Sequence, residues 1–336
     1  MSGGAEMVRA VGVDRLGTAA EIHRLDLPRP RCGPGQVLLR VSAVAVNHVD
    51  TFVRSGTYPT ALRFPLAVGR DAVGIIEATG DAVDDFVVGQ GAWTNSLGFA
   101  GRPGATADLV VVDAERAYPL PEGVDPVVAA AALHPCATAA LAVDAHGGLG
   151  RGETVYIAGG AGNVGSAAIV LAASRGARVL ASAAAGDAGY CKDLGAEAVI
   201  DYRDEDVAGR LHEAAPEGID VQIDTSGRND LETAVGLAAP RGRIVVLSGP
   251  ASAPVLPVGE LYMRDASVRG FAISNATVDE LARPAHTVNT MLTERSWEPR
   301  HILRRPLADA GWAHEQLEAG AVRGTRIVLL ASETPG

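Results

Sequence analysis

The chain has 336 residues, enough for about two domains; 47% of them are hydrophobic and 21% are charged. Twenty-nine basic and forty acidic residues give a net charge of −11, which disfavours nucleic acid as a partner, and no apolar run approaches the ~20 residues of a membrane span. With no signal-peptide pattern and only three cysteines, Cys32, Cys136 and Cys191, we expect a cytoplasmic enzyme without membrane partners.

The first 125 residues predict a β-rich region. The segments VRAVGV and QVLLRVSAVAV are β-branched and largely apolar, and turn-rich segments such as RCGPGQ and GRPGA separate the apolar runs. Helical periodicity is scarce in this part of the chain.

From about residue 151 the pattern changes to strands alternating with helices. Five compact apolar runs are typical of strands buried on both faces of a parallel sheet: TVYIAGG, ARVLASA, EAVIDY, IDVQIDTS and GRIVVLSG. Helical segments lie between them, such as GNVGSAAIVLAASRG, which ends at the C-capping Gly176, and DEDVAGRLHEAAP. The alternation predicts a doubly wound α/β domain with a parallel sheet.

The tail, from about residue 277, mixes helical stretches with a final strand, TRIVLLA. Pro284 lies inside an otherwise helical pattern, and we expect a kink or a break there because proline lacks the amide proton of a helix hydrogen bond.

The segment Gly160-Ala161-Gly162-Asn163-Val164-Gly165 fits G-x-G-x-x-G between a predicted strand and a predicted helix. In a dinucleotide site Gly160 would permit the tight turn, Gly162 would let backbone N–H groups approach a pyrophosphate, and Gly165 would allow close packing of helix on strand. The helix N-terminus would add partial positive charge beside Asn163 and Val164. A tight turn with glycines for steric reasons alone is the alternative interpretation.

The end of the next strand indicates which dinucleotide is bound. An NAD enzyme usually places Asp or Glu ~20 residues after the glycine turn, but Ser182 occupies this region and the nearest acid is Asp187. Tyr202 and Arg203 follow the third strand, and Arg203 is a candidate cation for a 2′-phosphate or an ordinary solvated arginine. NADP(H) is therefore favoured over NAD(H).

Two further motifs lie in the β-rich region, VNHVDTFVRSGTYP (46–59) and PLAVGRDAVGIIEATGD (65–81). Together with GGAGNVG they make the chain resemble the zinc-independent quinone oxidoreductases of the medium-chain dehydrogenase/reductase superfamily, nearly end to end. The resemblance implies an α/β protein with a GroES-like catalytic domain, residues 1–125 completed by 277–336, and a Rossmann NADP(H)-binding domain, residues 126–276. It also implies a homodimer or homotetramer, often joined through the edge of the Rossmann sheet.

Related zinc enzymes use Cys, His and Cys as catalytic ligands, and the matching positions are Asn47, Arg70 and His134. Asn is a poor zinc ligand and a guanidinium cannot coordinate a metal, whereas catalytic zinc needs about three protein ligands. The three scattered cysteines also cannot form a four-cysteine structural zinc site. We therefore expect no metal.

The resemblance implies NADPH-dependent reduction of quinones or α,β-unsaturated carbonyl compounds. Asn47 would lie near the nicotinamide ribose and the substrate oxygen, or would only organise its loop. Tyr58 would donate a proton or a hydrogen bond to the substrate carbonyl, or would only line the pocket. Asp50 and Asp71 are interpreted as structural, and Arg54 either contacts the cofactor or braces its loop.

Further cofactor contacts are implied by position within matched motifs. They are Thr138 near the nicotinamide, Ser182 and Tyr202 beside the adenosine ribose, Ser248, Gly249, Phe271 and Ser274 after two later strands, and Arg326 near the 2′-phosphate. The sequence departs from the family pattern at the lysine that binds the 2′-phosphate, because the stretch AAAGDAG after the second strand contains no lysine. Lys192 is the only lysine of the chain, so coding bias toward arginine also explains this gap.

Arg70 replaces a small residue of the family, and two histidines replace unremarkable neighbours. We hypothesise that Arg70 joins three other side chains in a cationic pocket floor that recognises a carboxylate, phenolate or enolate: Asn47, His48 and His134. A surface ion pair of Arg70 with Asp71 or Glu77 is the alternative. The open functional alternatives are an enoyl-thioester reductase of specialised metabolism and a non-catalytic NADPH-binding protein.

Overall fold

The computed structural model describes residues 6–331, and the chain divides into two units. The first unit contains the residues up to His134 and those from Val278 onward, and the second contains Pro135–Thr277. The first division falls inside a helix, later than the predicted boundary after residue 125, and the second falls one residue after the predicted 276/277 boundary.

The strands of the described chain are β1 (Met7–Val13), β2 (His23–Pro28), β3 (Gln36–Ala45), β4 (Leu66–Ala67), β5 (Asp71–Thr79), β6 (Gly91–Thr94), β7 (Leu109–Asp113), β8 (Tyr118–Pro119), β9 (Thr154–Ala158), β10 (Arg178–Ala183), β11 (Ala198–Asp201), β12 (Ile219–Asp224), β13 (Ala238–Val246), β14 (Ser267–Gly270), β15 (His301–Pro306) and β16 (Thr325–Leu330). The α-helices are α1 (His48–Ser55), α2 (Pro126–Ala140), α3 (Asn163–Ser174), α4 (Ala188–Asp193), α5 (Val207–Ala214), α6 (Leu231–Leu237), α7 (Val258–Met263), α8 (Val278–Glu294) and α9 (Ala310–Glu318).

The first unit is built around the long strand β3. In one sheet β3 pairs with β5, β7 and β16, while β1 lies between β2 and β4 in a smaller sheet. Alternate residues of β3, Val37, Leu39 and Val41, are buried in one core cluster, as the two-residue period of a strand requires. The predicted β-rich character of this region is confirmed.

The second unit is a six-stranded sheet in which every pairing is parallel. Its spatial order is β11-β10-β9-β12-β13-β14, which is 3-2-1-4-5-6 counted along this unit. This order is typical of dinucleotide-binding sheets, in which the ligand binds at the carboxyl ends of the strands where the order reverses, here between β9 and β12. The predicted doubly wound α/β fold is confirmed, and Gly176 ends α3 with φ +74° as expected.

Helix α2 and its continuation correct one statement made from the sequence. The segment Pro126–His146 is long and apolar enough, by length and composition, to cross a membrane, although no such run was expected. Most of it is buried inside the fold, and a helix that is hydrophobic on all sides is typical of a protein core. Its burial accounts for its composition without a membrane.

The break expected at Pro284 is not found, since α8 continues through this residue. Pro284 belongs to the buried face of α8, together with Leu281, Ala285 and Val288. The apolar face of a 17-residue helix offsets the one hydrogen bond that proline removes.

Candidate functional site

In the second unit, the chain turns sharply from β9 into α3. Gly159 has φ +78° and its carbonyl accepts a hydrogen bond from the Gly162 amide at 3.0 Å. A Cβ at Gly165 would lie 2.2 Å from that carbonyl oxygen, so only glycine allows the helix to approach the turn. The residue with a positive φ is therefore Gly159 rather than Gly160, which corrects the role predicted for Gly160. At Gly160 itself, a Cβ would lie 2.9 Å from the Cβ of Ala181.

The open side of this turn fits a pyrophosphate. Gly162 is the N-cap of α3, and a Cβ at Gly162 would have only the Gly159 oxygen within 4 Å, at 3.2 Å. The amides that follow, at Asn163 and Val164, belong to the first helical turn, whose N–H groups have no intrahelical acceptor. An anion at this terminus would gain these donors and the positive end of the helix.

Ser182, at the end of β10, is buried and tied to the turn. Its Oγ accepts from Tyr156 Oη at 2.9 Å and lies 3.4 Å from the Gly159 amide, and its carbonyl accepts from the Gly160 amide at 2.8 Å. The structure therefore gives Ser182 a bracing role in the turn, and its contact with a ribose stays a prediction. Tyr156 was missed from the sequence, where it reads only as an apolar strand residue.

Beyond β11, two arginines lie on one aromatic ring. The guanidinium carbons of Arg203 and Arg228 are 5.1 and 5.9 Å from the Tyr202 ring centroid, within cation–π range. Arg228 was not predicted, although its position just after β12 places it at the carboxyl edge of the sheet. Arg203 and a second cation, Arg228, therefore lie beside Tyr202, and the contacts of Tyr202 and Arg203 with the cofactor stay predictions.

The loop after β13 contains two of the predicted cofactor contacts, Ser248 and Gly249. Ser248 is exposed, and its carbonyl accepts from Asn229 Nδ2 at 2.9 Å; Gly249 has φ +81°. Asn229 was missed, because a single asparagine in a loop carries no motif signal.

Two side chains of this unit have surroundings that bear on the nicotinamide site. Thr138, on α2, is 4% exposed and its Oγ1 has no hydrogen-bond partner among the described residues, so a bound ligand group would satisfy it. Phe271 stacks on His146 with the ring centroids 4.3 Å apart, and the nearby Ser274 is buried. The glycine turn and the Thr138 hydroxyl together fit a nicotinamide dinucleotide.

In the first unit, Asn47 caps α1. Its backbone amide donates to Asp50 Oδ2 at 2.8 Å, and its carbonyl accepts from the Asp50 amide at 3.0 Å, so the two residues form a reciprocal cap. The helix ends at Gly56, with φ +83°. The structural role expected for Asp50 agrees with this geometry.

Both polar atoms of the Asn47 side chain are occupied inside the protein. Nδ2 donates to Asp71 Oδ2 at 2.9 Å and Oδ1 accepts from Arg326 Nη2 at 2.7 Å. Asn47 is 1% exposed. This geometry favours the loop-organising role of Asn47, while its contact with a ribose or a substrate stays a prediction.

Arg326 lies in a different place from the one expected of a 2′-phosphate contact. It is buried in the first unit on β16, and besides Asn47 it donates to the carbonyls of Ala131 and Val46, at 3.0 and 3.4 Å. The strand pairing of β16 with β3 turns the guanidinium inward, so the side chain holds the loop after β3 rather than facing solvent.

Arg70 is also buried, which rules out the surface ion pair. Its Nε donates to the Asn95 carbonyl at 2.9 Å and lies 3.5 Å from Asp71 Oδ1. Glu77 pairs instead with Arg29 and Arg40. Arg70 therefore pairs with Asp71, one of the two partners expected for a surface ion pair, but this pair is buried inside the protein.

The two buried carboxylates only partly offset the charge of the two buried arginines, Arg70 and Arg326. Burial, followed by the charge of Asp71, raises the pKa of Asp50 to about 7, and burial raises the pKa of Asp71 to about 6 against the opposing effect of Arg70. Burial also lowers the pKa of His48 and of His134, and the charge of Arg326 lowers both further. With both histidines neutral at pH 7, the cationic floor hypothesised around Arg70 has less positive charge than its residue types suggested.

Tyr58 is half-buried beside this network. Its ring lies 5.2 Å from that of Phe52, centroid to centroid, and burial raises the pKa of its phenol although Arg70 acts in the opposite direction. The phenol is therefore protonated at neutral pH and is a hydrogen-bond donor. Arg54, by contrast, braces its loop: it is buried, donates to the Gly17 carbonyl at 2.7 Å and pairs with Glu318.

The donor set at the three zinc-ligand positions is an amide, a guanidinium and one imidazole. The amide of Asn47 and the guanidinium of Arg70 have protein partners, and His134 Nδ1 has no hydrogen-bond partner among the described residues. Within residues 6–331 no group of three or more His, Cys, Asp or Glu side chains is arranged to hold a metal ion.

Known proteins match the two parts of the chain separately. Residues 33–122 match the alcohol dehydrogenase GroES-like domain and residues 163–287 match the zinc-binding dehydrogenase domain, so the chain is a two-domain oxidoreductase of the dehydrogenase class. A quinone oxidoreductase of Pseudomonas aeruginosa is 30% identical over 308 residues, covering 88% of this chain and 92% of the relative. The quinone oxidoreductase of Rattus norvegicus is 29% identical, covering 98% and 100%.

Among solved structures, a mycobacterial protein, Rv1454c, complexed with NADPH has a TM-score of 0.82 and 29% sequence identity, covering 96% of this chain and 99% of that one. The chain therefore belongs to the quinone oxidoreductase family of the medium-chain dehydrogenase/reductase superfamily, which confirms the resemblance seen in its sequence motifs.

Proposed function

We propose that this protein reduces quinones or α,β-unsaturated carbonyl compounds with NADPH and without a metal ion. The observation that carries the proposal is the glycine turn at 159–165, whose helix amides and small residues leave room for a dinucleotide pyrophosphate. Quinone oxidoreductases resemble the chain over nearly its whole length, which supports the choice of substrate class.

The preference for NADPH rests on charge at the ribose end of the site. Ser182 stands where an NAD enzyme would place a carboxylate, and Arg203 and Arg228 supply two cations on Tyr202. Charge-assisted hydrogen bonds to a 2′-phosphate are among the stronger ones in proteins. The NADPH bound to the mycobacterial relative agrees with this preference.

When bound, the nicotinamide supplies the hydride. The residues of this chain would hold the cofactor through the Gly162, Asn163 and Val164 backbone and the Thr138 hydroxyl. Tyr58 would donate a hydrogen bond to the substrate oxygen, because its phenol keeps its proton, and would deliver that proton as the oxygen gains negative charge. Arg70, near Tyr58, would stabilise the same developing charge.

Metal independence rests on the chemistry of Asn47, Arg70 and His134. A guanidinium at one of the three ligand positions excludes coordination there and repels a cation. His134 alone is too few ligands for a catalytic zinc. Without a metal, Tyr58 and Arg70 would be the groups that stabilise negative charge on the substrate oxygen.

The test measures oxidation of NADPH and NADH at 340 nm with a quinone, an enone and an enoyl thioester, before and after exhaustive dialysis against a chelator. We expect turnover of the quinone or the enone, unchanged by chelation, with kcat/KM for NADPH at least about tenfold above NADH, since a charged hydrogen bond contributes ~1.5–3 kcal/mol.

Four results would contradict the proposal. NADH better than NADPH by more than about tenfold would refute the role of Arg203 and Arg228. Activity restored only by zinc would refute metal independence. Tight NADPH binding without turnover of any acceptor would favour a non-catalytic role, and turnover of the thioester alone would favour an enoyl-thioester reductase.

A further inference from the structure

The first unit contains a polar cavity that the proposed reaction does not use. It has a volume of about 210 Å³ and lies between the segment 96–103 and the end of β7. Its polar lining consists of Gln36, Ser96, Arg102, Asp113 and Arg116. None of the residues that build the Asn47 network lines it.

Two buried polar atoms of this lining have no hydrogen-bond partner among the described residues: Ser96 Oγ and Arg116 Nη1. Ser96 is 2% exposed. Buried polar groups are nearly always satisfied, by protein or by a bound molecule. An unpaired hydroxyl and an unpaired guanidinium nitrogen on one cavity indicate a missing hydrogen-bond acceptor.

The charge of the lining points to the same kind of ligand. Arg102 and Arg116 both contribute guanidinium groups, and burial, followed by the charges of Arg116 and Arg70, lowers the pKa of Arg102 to about 10. Asp113 supplies the single carboxylate among the lining residues, and its Oδ1 already accepts from Gln36 Nε2 at 3.0 Å. The lining therefore has one excess positive charge, which a bound anion would neutralise.

We propose that this cavity is a binding site for a small oxyanion, a carboxylate or a phosphate. Arg116 Nη1, the Ser96 hydroxyl and the Arg102 guanidinium would donate to its oxygens; the Arg102 Nε also holds the segment by donating to the Ser96 carbonyl at 2.6 Å. The volume equals that of about seven liquid water molecules, which is larger than inorganic phosphate needs and admits a small organic acid or phosphate monoester.

The site is connected to the catalytic side of the unit through the backbone. Asn95, whose carbonyl accepts from Arg70, directly precedes Ser96. Ligand bound to Ser96 and Arg102 would hold the segment that positions Arg70, so occupancy of the cavity is expected to change the rate of reduction as well as the stability of the protein.

The experiment measures the melting temperature of the full chain in sodium citrate and in sodium phosphate, each against sodium chloride at equal ionic strength. The variants are Arg116→Gln and Ser96→Ala, with Arg63→Gln as the matched control because Arg63 is an exposed arginine of the same unit. We expect at least one oxyanion to raise the melting temperature of the wild type and of Arg63→Gln.

The apparent dissociation constant from a titration should rise about tenfold or more in Arg116→Gln and about two- to tenfold in Ser96→Ala, as expected for a charged and a neutral hydrogen bond. In chloride, Arg116→Gln should melt no lower than the wild type, because the substitution removes repulsion with Arg102. A response to citrate alone identifies a carboxylate site, and a response to phosphate alone identifies a phosphate site.

No specific shift with either anion, or an unchanged response in both variants, would overturn the proposal. If Arg116→Gln shows no cooperative transition, Ser96→Ala decides: a weakened response supports the site and an unchanged response rejects it. These measurements need neither NADPH nor a quinone, so they are independent of the proposed reaction.

Discussion

Asp50 and Asp71 are two buried carboxylates of the same site that have different structural roles. Both carboxylates face arginines inside the first unit, but Asp50 also caps α1 through the Asn47 amide. Burial and the proximity of the second carboxylate make ionisation of Asp50 unfavourable. The pair is therefore most stable when it shares fewer than two negative charges.

This arrangement predicts a pH dependence of stability. The native pKa of Asp50, about 7, exceeds its ordinary value of 3.8, so the native state binds a proton more tightly than the unfolded chain between pH ~4 and ~7. The contribution of Asp50 to stability is present below that window and is lost as the pH rises through about 7.

In Asp50→Asn this loss should disappear, which amounts to roughly 4 kcal/mol across the window. Urea denaturation of wild type and variant at several pH values measures the difference, with Asp84→Asn controlling for the loss of an exposed carboxylate. His48 and His134 titrate in both proteins and cancel in the comparison. Parallel pH profiles for wild type and Asp50→Asn would show that the carboxylate is not held protonated.

The elements most relevant to the cofactor are β9, the glycine turn and α3. Three glycines of the turn differ in their steric surroundings: Gly159 adopts a positive φ, Gly165 allows close approach of backbone, and a Cβ at Gly162 would meet only the Gly159 oxygen, at 3.2 Å. A substitution at one glycine can therefore change cofactor binding without the steric conflict that a substitution at another glycine would cause in the fold.

Gly162→Ala should fold and yet bind NADPH weakly. The new methyl group needs a shift of only a few tenths of an ångström at Gly159, but it occupies the approach to the first-turn amides. We expect the NADPH dissociation constant, measured by nicotinamide fluorescence, to rise about tenfold or more, with little change in melting temperature. Gly236→Ala is the control, since a Cβ there meets nothing within 4 Å; equal NADPH affinity in both variants would place the pyrophosphate elsewhere.

The sequence was sufficient for those elements whose signal is local. The strands of the parallel sheet, the position of α3 and its end at Gly176 follow from apolar runs and glycine chemistry alone. The site residues were harder to predict, because partners such as Arg326 and Asn47 are 279 positions apart and meet only through the pairing of β16 with β3. Arg228 and Asn229 were missed for the same reason. Their contacts arise because they follow β12 at the carboxyl edge of the sheet, and no short sequence motif indicates such a position.

For the whole molecule, the exposed edge of the parallel sheet is the feature that predicts assembly. β14 is the last strand in the order and pairs on one side with β13. Just before β14 in the chain, α7 and the segment that precedes it expose large apolar side chains, with Val255, Val258, Tyr262 and Met263 between 59% and 78% exposed. An uncovered strand edge with an apolar border is typical of an interface.

We expect a homodimer formed through this edge, and Tyr262→Glu should convert it to a monomer by placing a charge in the apolar contact. Light scattering after size-exclusion chromatography measures the mass. Val87→Glu is the matched control because Val87 is equally exposed, at 66%, but lies in the other unit. A monomeric wild type at micromolar concentration, or a dimer that persists in Tyr262→Glu, would refute this interface.

Lys192 is exposed on α4, within the cofactor-binding unit, and is the only lysine of 336 residues. A succinimidyl ester fluorophore would thus find one side-chain amine in the whole chain, whereas guanidinium groups stay protonated and unreactive under the same conditions. Enzymatic acetylation or ubiquitin attachment at side chains is limited to that same position. The arginine-rich composition therefore leaves Lys192 as the one side chain for attaching a reporter dye without mutagenesis, provided that the pH is high enough for it to compete with the more acidic α-amino group.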